Sequence, residues 1–69
     1  MELHENSADR AARQRACRLA DTGRFAIPRE VEEAMIAEGW PNARRVMHGD
    51  YISLLIAERC RLARNPAMA

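Results

Sequence analysis

At 69 residues the chain has room for one domain, and a domain of that size buries only about 60% of the surface its unfolded form exposes. Leu, Ile, Val and Phe together number 12, a share low enough to raise disorder, but a net charge of +1 lacks the self-repulsion that disorder requires. There is no apolar run long enough to span a membrane and no basic start leading into a hydrophobic signal core, so a folded, Ala-rich helical domain in the cytoplasm is expected.

Residues 1–6 carry no pattern and read as a flexible arm, 7–64 as a single small helical domain, and 65–69 as a flexible tail. The first helix starts near Ser7, with Asn6 or Ser7 as its cap and Asp9 complementing its positive end. Ala8, Ala12, Ala16, Leu19 and Ala20 then recur at three- and four-residue steps, and Thr22 with Gly23 supplies the stop. From Arg24 to Ile27 polar and apolar residues alternate, the period of a short half-buried strand, although the same segment could be an extended link between helices. Pro28 suits the first position of a second helix over about 28 to 38, whose face is Val31, Ala34, Met35 and Glu38 and whose terminator is Gly39. Trp40 can fold back over that last turn before Pro41 blocks continuation.

Asn42 to His48 reads as one short helical turn capped by Asn42. Asp50 is the expected cap of the last helix, which runs to Arg64 before Asn65 and Pro66 end it. Along that helix only Ser53, Glu58, Arg59, Arg61 and Arg64 are polar, so its apolar face is wide enough to need burial on more than one side. The fold class is therefore mostly α: an N-terminal helix, one short strand that could pair across a dimer, then two or three helices. Phe25, Ile27, Val31, Met35, Ile52, Leu55, Ile56 and Leu62 are the expected core. Thirteen of the apolar residues are Ala, so this core is thin, and a second copy of the chain is the expected source of further burial.

All eleven basic residues are Arg, a choice that reflects either a GC-rich genome or a use for planar, bidentate donors. Arg10, Arg13, Arg15, Arg18, Arg24 and Arg29 occupy the first half, while Glu30, Glu32, Glu33 and Glu38 crowd one short helix, so the near-neutral total hides local fields of opposite sign.

The segments GRFAIPREVEEAM and GDYISLLIAER resemble the ribbon-helix-helix family of DNA-binding proteins, over roughly residues 23 to 64. The resemblance implies a homodimer whose paired strands enter the major groove as a small transcription regulator. It places Arg24 against base edges and makes Arg29, Arg44 and Arg45 candidate phosphate contacts. The alternative is a helical module that binds a protein target, antitoxin-like or of the inhibitor type carried by phages and plasmids, through Trp40 or the basic face of Arg10, Arg13 and Arg18.

Catalysis is not expected. His4 and His48 are the only histidines and Cys17 and Cys60 the only thiols, and they form no arrangement of nucleophile, base and orienting group. The two cysteines lack metal-ligand spacing and read as reduced thiols packed as small hydrophobes. No cofactor, metal, small-molecule substrate or membrane partner is expected.

Overall fold

A computed structural model describes residues 7–65 of the chain. Its elements are α1 (Ser7–Asp21), α2 (Pro28–Ala37), α3 (Ala43–Met47) and α4 (Asp50–Arg64). The arm expected over 1–6 and all of the expected tail except Asn65 lie outside the described residues.

Each helix ends where local chemistry stops it. At the close of α1, the Leu19 carbonyl accepts both the Thr22 N–H at 3.2 Å and the Thr22 hydroxyl at 2.6 Å, and Gly23 turns the chain with φ 78°. The end of α2 is a Schellman motif: Gly39, at φ 95°, donates to Ile36 O at 3.0 Å, and Trp40 N–H reaches back to Met35 O at 3.1 Å. Trp40 thus folds over the last turn, and its indole N–H donates to Glu38 Oε1 at 3.2 Å.

The core draws on every helix. Ala12, Ala16, Leu19 and Ala20 of α1 meet Val31 and Met35 of α2, Ala43 and Met47 of α3, and Ile52, Ile56 and Cys60 of α4. Three alanines on one face let α1 lie close to its neighbours, and α4 is the helix it packs against most extensively. The two run parallel. Asp9 and Arg13 border Gly49 and Tyr51 at the N-terminal ends, and Asp21 meets Arg59 while Gly23 abuts Ala63 at the C-terminal ends. This direction follows from α2 and α3, which together carry the chain back to the starting end.

Several expectations need correcting. No strand is present among the described residues, and Arg24–Ile27 is an irregular link that bends at Ala26 and Ile27. Two of its backbone donors are engaged locally: the Arg24 N–H goes to Thr22 Oγ1 at 3.2 Å and the Ala26 N–H to Glu30 Oε1 at 2.7 Å. The alternation there also fails to bury both apolar residues, since Phe25 packs against the core while Ile27 is 50% exposed. Val31, Met35, Ile52 and Ile56 are buried as expected and Leu55 packs partly, but Leu62 is 36% exposed at the far end of α4.

The expected caps also differ. Gly49, not Asp50, stands at the N-cap of α4, so Asp50 is its first helical residue and complements the positive helix end by charge alone. Asn42 does stand before α3 but makes no cap bond. Its amide instead crosses to α1, donating to Ala8 O at 3.0 Å and Asp9 Oδ1 at 2.9 Å. A buried Asn spent in this way ties the start of α1 to the α2–α3 corner, while its own Oδ1 stays buried without a partner.

Candidate protein-docking groove

The parallel packing of α1 and α4 leaves an open groove of about 700 Å³ between them. Its α1 wall presents Arg10, Arg13, Gln14, Cys17, Arg18 and Asp21, a run at three- and four-residue steps down one side of the helix. The α4 wall presents Tyr51, Ile52, Leu55 and Arg59. The groove therefore has an apolar floor of Cys17, Ile52 and Leu55 and a basic rim.

Beside it, α4 displays its wide apolar face to solvent. Tyr51 is 78% exposed and Leu54 72%, one helical turn apart. Ile52, Ile56 and Cys60 form the buried stripe of the same helix, so a single helix is apolar on two sides and the fold covers only one.

The charges around the molecule are unevenly spent. Glu38 takes a bidentate pair from Arg15 at 2.9 and 2.7 Å, and Arg59 grips Asp21 at 3.1 and 3.2 Å. Arg29 pairs with Glu33 at 3.4 Å, Arg44 with Glu32 at 3.8 Å, Arg45 with Asp9 at 2.7 Å, and Arg61 with Glu58. With Glu30 held by the Ala26 N–H, every carboxylate among the described residues except Asp50 is engaged within the chain. Arg18, by contrast, is exposed on the groove rim and has no carboxylate partner among the described residues.

Two carboxyls register these contacts in their acidity. The Asn42 amide, with Arg45 behind it, holds the Asp9 carboxyl below its ordinary value against the opposing effect of burial. The Arg15 guanidinium does the same for Glu38, helped by the Trp40 indole.

No family model, curated protein or solved structure matches the chain. The expected site residues must therefore be judged by where the fold puts them. Arg24 lies in the link with its guanidinium 5.7 Å from the Phe25 ring centroid, and Arg29 projects from the first turn of α2. Arg44 and Arg45 stand on α3, turned toward Glu32 and Asp9. These four expected DNA contacts are spread over three segments, each with a partner inside the chain. Arg10, Arg13 and Arg18 of the alternative set do converge, on the groove, whereas Trp40 is half-buried and does not line it.

The groove's other residues, Tyr51, Leu55, Arg59 and Cys17, with Leu54 beside them, were not among the expected site residues. The signal available for them was the breadth of apolar residues along the last helix. Among the described residues there is no group of three or more His, Cys, Asp or Glu placed to hold a metal, and no helix is long and apolar enough to cross a membrane.

Proposed function

We propose that this chain is a helical protein-binding module and that its docking surface is the α1–α4 groove with the adjoining face of α4. The observation that carries this reading is the exposure of Tyr51 and Leu54 on a helix whose opposite side already fills the core. Exposed apolar residues are ordinary when scattered, but an aromatic and a Leu one turn apart, beside an apolar groove with an Arg rim, have the composition of an interface centre. A ribbon-helix-helix regulator would instead need Arg24 displayed from a strand, and in the link that carries it the Arg24 and Ala26 N–H groups are engaged by side chains.

The test is affinity capture from host lysate with the wild type and with Tyr51→Ser/Leu54→Ser, beside titration of both against a random-sequence duplex. A protein retained stoichiometrically by the wild type and lost by the double variant is the expected result. Equal retention by both, or salt-sensitive duplex binding without a retained protein, contradicts the proposal.

A further inference from the structure

We infer that the occupant of the α1–α4 groove is an acidic, amphipathic helical segment of another protein. This rests on the protein-binding reading above and adds the chemistry of the partner.

The charge of the groove favours an acidic occupant. The groove is lined by four arginines and one carboxylate, Asp21, which Arg59 already holds. Arg10 and Arg13 each interact elsewhere in the chain, so Arg18 and the sign of the whole rim carry the attraction. The four glutamates of α2 and its cap are each engaged within the chain, by Arg15, Arg29, Arg44 and the Ala26 N–H. Among the described residues Arg18, Arg24 and Arg64 have no carboxylate partner, and of these three Arg18 stands on the groove rim.

The shape of the groove suits a helix. From Arg10 to Asp21 the α1 wall runs about 16 Å, and the α4 wall from Tyr51 to Arg59 about 12 Å, at the helical rise of about 1.5 Å per residue. A groove between two parallel helices accepts a third helix along its length, with apolar side chains at three- and four-residue steps meeting the floor. Cys17, Ile52 and Leu55 supply that floor, and Tyr51 stands at one end as a half-wall. Asp21 on the Arg59 guanidinium shows the kind of contact an incoming carboxylate makes on Arg18.

The experiment uses fluorescein-labelled peptides of about 15 residues, matched to the roughly 22 Å of α1. One is an amphipathic helix with a Glu face and Leu at helical spacing, the second its scrambled sequence, and the third its Lys-for-Glu counterpart. The full-length chain should bind the first most tightly by anisotropy, with affinity that falls as salt rises. Arg18→Glu should weaken it about tenfold, a change of about 1.4 kcal/mol, and Tyr51→Ser should weaken it as well. Both residues are exposed, and circular dichroism of each variant separates lost binding from lost fold.

Equal binding of the scrambled or Lys peptide, indifference to Arg18→Glu, displacement of the acidic peptide by a DNA duplex, or no binding at all would overturn the inference. Loss of peptide binding while Tyr51- and Leu54-dependent capture persists overturns the acidic occupant alone. Loss of both overturns the docking surface itself.

Discussion

Gly23 lies directly against Ala63, so that a Cβ added at Gly23 would stand 3.2 Å from the Ala63 carbonyl oxygen. This contact brings the turn after α1 onto the last turn of α4, just beyond the Asp21–Arg59 pair, and so holds the C-terminal ends of the two helices together. Glycine is required there twice over, by the close approach and by φ 78°. Gly23→Ala is expected to cost at least the left-handed backbone penalty of about 1–2 kcal/mol. Thermal unfolding should register it as a fall of roughly 4–8 °C per kcal/mol for a domain this small. An unchanged midpoint would mean that α1 and α4 do not close on each other at this end.

The core should be equally sensitive at Ile56, which is fully buried at the centre of α4 among the alanines of α1 and the methionines of α2 and α3. Ile56→Ala should cost about 2–5 kcal/mol, a large part of the roughly 5–15 kcal/mol typical of a whole domain. Chemical denaturation followed by circular dichroism should show a much lower midpoint or no folded baseline. Tyr51→Ser, at an exposed position of the same helix, should leave the midpoint nearly unchanged.

Acid should loosen the molecule through Asp9 and Glu38. Both carboxyls are held below their ordinary values in the folded chain, so they bind fewer protons folded than unfolded as the pH falls. Their stabilising contribution is complete above the unfolded values of about 3.9 for Asp and about 4.3 for Glu. It is lost as the pH drops through the lower folded values. A pH series of melts should therefore be flat near neutrality and decline below about pH 4. In Asp9→Asn/Glu38→Gln that decline should be shallower, and an identical decline in both proteins would remove these two groups from the account.

The two thiols should separate cleanly. Burial pushes the Cys60 thiol up, and no solvent reaches it in the core. Cys17 is half-buried on the groove floor. An aromatic disulfide reagent should label one thiol in the folded chain and the second only in denaturant. Mass mapping should place the first label on Cys17, and a peptide seated in the groove should slow that reaction.

Much of the helical framework was legible because its determinants are local. Thr22 with Gly23, Pro28, and Gly39 with Trp40 each act within a few residues of the boundary they set, and α1, α2 and α4 begin and end within a residue of expectation. The Arg24–Ile27 segment misled because a four-residue alternation is equally compatible with an extended link. In the fold the Ala26 N–H goes to Glu30, four residues downstream.

The candidate site was legible only in part. Arg10, Arg13 and Arg18 stood out as a basic face, and the last helix as too apolar for one buried side. That the two lie side by side depends on the parallel α1–α4 packing, with Asn42 reaching across 34 residues to Ala8. The pairings Arg15–Glu38 and Arg45–Asp9 also span long stretches of sequence, 23 and 36 residues, and they affect which charges remain to be offered.

The most direct test of the docking surface is in-cell photocrosslinking with Leu54 replaced by p-benzoylphenylalanine, beside the same replacement at Glu33 on the exposed side of α2. The account predicts a discrete adduct with one protein from position 54 and none from position 33. An adduct from position 33 alone, or cross-links from position 54 to nucleic acid and not to protein, would contradict it.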